Sequence, residues 1–204
     1  MACDYGGKGM KYEHYVDDFA KILSRIESGQ LSKFINLLMD AYEGGKSIYV
    51  IGNGGSAANA SHFAQDLAKG CRGPMESEKR FRAISLTDNT PFITALSNDD
   101  GYQYVFEQQL MTYAGPGDML VAISGSGNSP NVIRAVEWAN RKGLTTVGIT
   151  GYNGGRLISL AKYSVHVPLN DMCTAESVHS VLLHYIVLEI QEKLNIGCGR
   201  QALR

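Results

Sequence analysis

Cysteine is sparse in this 204-residue chain and never paired in sequence: Cys3, Cys71, Cys173 and Cys198 stand apart, with no CxxC. Such scatter argues against a disulfide framework and fits a reduced, cytoplasmic protein. An excess of one charge is lacking too, with 19 basic against 20 acidic residues and a net charge of −1. No global field draws the chain toward nucleic acid or an anionic membrane, and neither is expected as a partner. No apolar run is long enough to span a bilayer, and the start lacks the apolar core of a signal peptide. Two nucleotide signatures are also absent: a GxGxxG with a downstream acid, and GxxxxGK[ST]. A nucleotide cofactor is therefore not expected.

What is present is organised around Ser47–Lys69. Ser47–Ile51 is a short β-branched, apolar run, the pattern of a buried strand. Gly52-Asn53-Gly54-Gly55-Ser56 follows as a glycine turn. Ala57–Lys69 reads as a helix, with Phe63 and Leu67 at i,i+4 and Ser56 expected as its N-cap. Strand, glycine turn and helix N-terminus together make a site for an anion. His62 and Asp66 lie one turn deeper, on one helix face.

The length suits one α/β domain, expected over 11–197, with a disordered start at 1–10 and a tail at 198–204. A helical pair is expected first, at Tyr15–Ile26 and Leu31–Tyr42. It serves either as a cap on the sheet or as an oligomer interface. Further strands are expected at Phe81–Leu86, Met119–Ile123, Thr145–Ile149 and Tyr163–Val167. A short helix is expected at Thr90–Leu96, then a turn cluster at Ser97–Gly101, and a long last helix over Thr174–Leu194. Strands alternating with helices predict a three-layer α/β sandwich: a five-stranded parallel sheet with helices on both faces. Three strands end in small polar turns, IGNGGS, ISGSGNS and ITGYNGG. Ligands of parallel sheets bind at such carboxyl ends.

The turn Ser124–Ser129 carries hydroxyls at Ser124, Ser126 and Ser129, with Pro130 suited to the first helical position. One such turn needs no ligand to explain it, since Gly and Ser also serve geometry and capping. Two of them at neighbouring strand ends point to a phosphate. Taken alone, His62 reads as a surface histidine, Asp66 as a solvated face and Glu176 as a first-turn glutamate favoured by the helix dipole. Asp88, Asn98 and Asp99 read as turn residues, with sugar-hydroxyl contact as the other reading.

The runs GNGGSAANASHFAQDL, SLTDN, SNDDGY, AISGSGNSPNV, GITGYNGG and ESVHSVLLH resemble the sugar-isomerase (SIS) fold family, and within it the phosphoheptose isomerase group. The resemblance covers Tyr15–Leu194. It implies an aldose–ketose isomerase acting on sedoheptulose 7-phosphate, a homotetramer with sites where subunits meet, and in some members a zinc ion. It further implies that Ser56, Ser124, Ser126 and Ser129 hold the sugar phosphate, with Asn53, Gly54 and Asp99 beside the substrate. His62 would bind metal, and His184 would serve as acid/base and metal ligand. Asp66 stands where the family has a glutamate base, and Glu176 where it has a glutamine. The run Met172–Ala175 lacks the family's arginine.

Moving a proton between C1 and C2 through an enediol needs a base and a group that manages the oxygen protons. Asp66 or Glu176 is the candidate base and His184 the second acid/base. His62, Asp66, Glu176 and His184 form a candidate zinc set. The eight residues between Glu176 and His184 rise about 12 Å along a helix and turn about 80°, which is awkward for a shared ligand. Two other readings stand beside the isomerase. One is a non-catalytic phosphosugar sensor or partner-binding protein of the same fold. The other is an isomerase of a different phosphosugar.

Overall fold

The computed structural model describes residues 11–196; the expected disordered start and the tail lie outside them. Two helices come first, α1 (Tyr12–Ser24) and α2 (Ser28–Glu43). Five strands follow: β1 (Ser47–Ile51), β2 (Arg82–Ser85), β3 (Met119–Ser124), β4 (Thr145–Thr150) and β5 (Tyr163–His166). Between them lie α3 (Gly55–Gln65), α4 (Thr90–Asp99), α5 (Val105–Tyr113), α6 (Pro130–Arg141) and α7 (Leu157–Leu160), and α8 (Met172–Lys193) ends the described chain. Every strand pair is parallel, in the order β2-β1-β3-β4-β5. The sandwich expected from the alternating pattern is therefore present.

Strand residues alternate between two cores, as the period of two requires. Ile48, Val50, Met119, Val121 and Ile123 face a core shared with α2, α3 and α8. Tyr49, Leu120 and Ala122 face the opposite core, with α5, α6 and Leu157 of α7. The chain leaves β1 for one edge of the sheet and returns past it to β3. Between those two strands the direction of winding reverses, which opens a crevice at their carboxyl ends. The IGNGGS and ISGSGNS turns both stand there.

Several local expectations shift. The short helix from Thr90 continues to Asp99, so Ser97, Asn98 and Asp99 are its last turn rather than a separate turn cluster. Asn89 caps it, accepting from the Phe92 amide at 3.2 Å, and that local bond favours extension. The last helix begins at Met172, because Asp171 accepts from the Thr174 amide at 2.8 Å and caps it two residues early. Among the described residues, no helix is long and apolar enough to cross a membrane.

His179 on α8 is fully buried, and its ring nitrogens make no hydrogen bond of ordinary geometry, with the Thr150 backbone the nearest polar influence the ring feels. Burial drives its pKa from 6.5 to about 4; the Thr150 backbone opposes this in part, and the His166 charge adds to it. Below about pH 6.5 the unfolded chain takes up a proton that the native chain refuses until about pH 4, so stability falls as pH drops through that window. At about 1.4 kcal/mol per unit, the loss reaches roughly 2 kcal/mol by pH 5. His179→Leu should lack this part of the acid loss. Urea unfolding at pH 7 and pH 5 checks it, and an equal acid loss in both proteins would exclude His179 as the source.

Candidate active site

The first polar turn is shaped by backbone. A Cβ at Gly52 would meet the Ser56 carbonyl oxygen at 2.5 Å, so the strand can pass that close to the helix only with glycine there. Gly54 adopts φ 56° and stands at the N-cap of α3. The expectation that Ser56 caps the helix is thus corrected. Ser56 is the second helical residue, 3 % exposed, and lines the crevice. Gly54 shapes the turn but is not among the residues lining the cavity.

The second turn is locked by the third. Gly127 has φ 65°, and a Cβ on it would meet the Gly154 carbonyl oxygen at 2.0 Å. The Leu157 amide donates to the Gly127 carbonyl at 3.0 Å, and the Gly151 amide to the Gly125 carbonyl at 2.9 Å. Ser129 takes the N-cap position of α6 with Pro130 behind it, as expected, yet its hydroxyl makes no capping bond. It stays available to the cavity. Asn53, Ser56, Ser124, Ser126, Ser129, Met172 and Glu176 line that cavity together. Five of the seven expected phosphosugar contacts, Asn53, Ser56, Ser124, Ser126 and Ser129, are therefore brought to one place. Among the described residues, no Lys or Arg lines it. An anion there would be held by hydroxyls, amides and the N-termini of α3 and α6. Asp99 sits elsewhere: it is exposed at the end of α4, where its carboxylate accepts from Asn98 at 2.8 Å.

Along α3 the helix widens. Asp66–Gly70 forms a π-turn, closed by the Cys71 amide on the Asp66 carbonyl at 3.0 Å. Such turns often sit at functional positions. Gln191 of α8 donates to the Gly70 carbonyl at 3.0 Å and ties the two helices there. Upstream, Asn59 donates to the Glu176 carbonyl at 3.0 Å. The helices therefore run parallel at a steady offset, Gly55 beside Glu176, His62 beside His184 and Gly70 beside Gln191.

Midway along this seam three groups meet. The Nε2 atoms of His62 and His184 lie 3.4 Å apart. Asp66 Oδ2 is 3.4 Å from His62 Nε2 and 3.6 Å from His184 Nε2. Both histidines are about half exposed, whereas the carboxylate is 20 % exposed. Three ligand atoms at about 2.0–2.2 Å from a tetrahedral zinc would lie roughly 3.3–3.5 Å apart, so the spacing fits a three-residue zinc site with one open position.

Glu176 does not join them. Of the four residues expected to hold zinc, His62, Asp66 and His184 bring their ligand atoms within 4.8 Å of one another. Two turns of α8 separate Glu176 from His184, and its carboxylate packs on Gly55, at the hydroxyl cavity. Four further residues border the site without a signal in the sequence. Met172 roofs the cavity, with its sulfur 2.5 Å from where a Gly125 Cβ would be. Asn59 and Ser180 lie beside the triad. Asn131 pairs with Asn53 across 78 residues of chain. A contact so distant in sequence leaves no local pattern to read.

Comparison with known proteins follows this geometry. The SIS domain family model matches residues 14–151. The phosphoheptose isomerase of Citrifermentans bemidjiense is 38% identical over 168 residues, covering 82% of this chain and 85% of that protein. The probable phosphoheptose isomerase of Thermoplasma acidophilum is 35% identical over 184 residues, 90% of this chain and 100% of the relative. The solved structure of phosphoheptose isomerase from Neisseria gonorrhoeae superposes with a TM-score of 0.78 at 30% identity, covering 88% of this chain and 98% of the other. A cavity of hydroxyls at the sheet's switch point, a His/carboxylate triad beside it and these likenesses agree: the chain belongs to the SIS domain family, in its phosphoheptose isomerase group.

Proposed function

We propose that this protein is an aldose–ketose isomerase that interconverts sedoheptulose 7-phosphate and D-glycero-D-manno-heptose 7-phosphate through an enediol. The observation that carries this reading is the distance between the two halves of the site. Gly55 and Glu176 mark the phosphate end; His62 and His184 lie seven and eight residues further along parallel helices. Seven residues advance about 10 Å. An extended chain advances about 1.2 Å per bond, so the eight bonds from a phosphorus on O7 to C1 span about 9–10 Å. A phosphate seated on Ser56, Ser124, Ser126 and Ser129 thus brings C1 and C2 of a seven-carbon sugar to the triad.

In this reading Asp66 is the base. Its carboxylate takes the C1 proton of the ketose and returns it to C2. His184, within 3.6 Å of Asp66, carries the proton between the C1 and C2 oxygens. His62, Asp66 and His184 would hold zinc, which supplies a Lewis acid for the two sugar oxygens when bound. A sensor of phosphosugars needs the hydroxyl cavity but has no use for the triad. The other SIS reading, an isomerase of a shorter phosphosugar, fits the distance less well.

The assembly belongs to the same reading. Val181 and Tyr185 on α8, beside His184, are 41% and 43% exposed, and Tyr12 and Val16 on α1 are 76% and 44% exposed. These apolar groups suit a homotetramer whose contacts run along α8 and next to the triad. The free thiols, Cys71 buried and Cys173 exposed, suit a cytoplasmic setting.

His184→Ala and Asp66→Asn should each lower kcat by about 10²–10⁴ with little change in KM. Glu176→Gln spares the triad and removes a negative charge beside the phosphate. It should keep kcat within tenfold and lower KM. NMR of solvent deuterium entering C2 of the heptose phosphate follows all three. A severe Glu176→Gln with a mild Asp66→Asn would move the base to Glu176, and no exchange in the wild type would favour the sensor.

Dialysis against zinc followed by elemental analysis should give one ion per wild-type chain and far less in His62→Ala; equal loading of the two proteins would remove the ion from the triad. Sedimentation velocity at micromolar concentration should show a tetramer, with Tyr185→Glu shifting it to smaller species. A wild-type monomer would refute the assembly.

A further inference from the structure

Asn53 lines the cavity, yet its side chain is not free to turn. The reason begins one element away. The Val132 amide donates to Asn131 Oδ1 at 2.9 Å. A backbone N–H can only donate, so this contact settles which end of the Asn131 amide is oxygen. Asn53 Nδ2 donates to that same oxygen at 2.9 Å, and Asn131 Nδ2 donates back to Asn53 Oδ1 at 2.9 Å. The Tyr102 hydroxyl donates to Asn53 Oδ1 as well, at 2.8 Å. The Asn53 oxygen has then accepted two bonds, its full capacity, and one of its two N–H groups is engaged. One N–H is left for a ligand, and nothing on that side chain is left to accept.

We propose that Asn131 and Tyr102 are positioning residues that hold Asn53 as a one-way donor to an unprotonated phosphoryl oxygen of the substrate. Asn131 is 2 % exposed at the start of α6, so its orientation cannot relax into solvent. Tyr102 reaches in from the 3₁₀ turn Tyr102–Tyr104 that joins α4 to α5, and is 52 % exposed. Its hydroxyl closes the network from outside and pins that connection over the β1 turn. The network also selects. A group that must donate a hydrogen bond finds no acceptor on Asn53, while a phosphoryl oxygen finds a donor that needs no reorganisation on binding. With no Lys or Arg lining the cavity, a fixed amide donor contributes more of the anion's binding than it would beside a cation.

This inference rests on the phosphate occupying the hydroxyl cavity, and the test separates the two ideas. Calorimetric titration with inorganic phosphate and with sedoheptulose 7-phosphate is run on wild type, Asn53→Ala, Asn131→Ala, Tyr102→Phe and each pairing with Asn53→Ala. Loss of the Asn53 donor should weaken binding about 10- to 100-fold. Asn131→Ala should weaken it at least about fivefold and Tyr102→Phe about two- to fivefold. Neither should weaken it further once Asn53 is alanine, because both act through that side chain. Losses that multiply in the double variants would overturn the proposal, since a general loosening of the fold gives that result. Tyr102→Phe removes a single hydroxyl from a half-exposed residue and keeps the test open if Asn131→Ala folds poorly. If wild type binds neither ligand, the phosphate reading itself has failed. The network is then judged by the side-chain amide NMR signals of Asn53. Movement of both signals in Tyr102→Phe supports it, and unchanged signals overturn it.

Discussion

The parallel packing of α8 along α3 is the constraint on which the rest of the site depends. Ala60, Phe63 and Ala64 of α3 and Leu67 of the π-turn that continues it share one core with Val178, Leu182, Leu183 and Ile186 of α8. Each large apolar side chain buried there contributes about 1.5–3 kcal/mol. That apolar seam fixes the register, and the register lifts His62 and His184 side by side at its solvent edge. The two histidines and Asp66 contribute little to the fold themselves. Polar groups at 3.4–3.6 Å, two of them half-exposed, have no strong mutual bond to hold them, so their spacing is imposed by the helices that carry them.

The two halves of the site solve different problems. At the switch point between β1 and β3, an anion would be met by neutral dipoles: serine hydroxyls, amides and two helix N-termini. Such a cradle depends on geometry, because each donor must already point the right way. The interlocked turns supply that. Gly127 lies against Gly154 closely enough that a Cβ has no room, and the third turn braces the second through two backbone bonds. In the proposed isomerase, the triad end needs mobility of protons rather than rigidity of donors. There the site opens to solvent and the helix loosens into a π-turn at Asp66. Glu176 stands at the hydroxyl cavity, a carboxylate beside the proposed phosphate cradle, which among the described residues holds no cation. It sets a repulsive cost on binding that an amide in its place would not.

Much of the site was readable before any coordinates. IGNGGS and ISGSGNS could be recognised as strand-to-helix turns because glycine and serine at strand ends carry a local conformational meaning. His62 and Asp66 could be placed on one face because i,i+4 spacing is a property of the helix alone. The parallel sheet followed from alternation of the two periodicities. Glu176 could not be assigned the same way. Helix pitch already made a ligand shared with His184 awkward on paper, and the early cap at Asp171, which keeps α8 helical through Glu176, holds the two residues two turns apart. Ser56 was read as a cap because serine usually is one; the positive φ of Gly54 took that position instead and left Ser56 to line the cavity.

By itself the sequence determined which segments become strands and helices, which of their faces are apolar, and which turns carry hydroxyls, because these depend on neighbours within a few residues. The tertiary structure alone decided which of those elements meet. Asn53 finds Asn131 across 78 positions, His62 finds His184 across 122, and Gly70 finds Gln191 across 121. No local propensity encodes such meetings. They arise when the two faces of one sheet bury their side chains, and the helices have only one register in which both cores close.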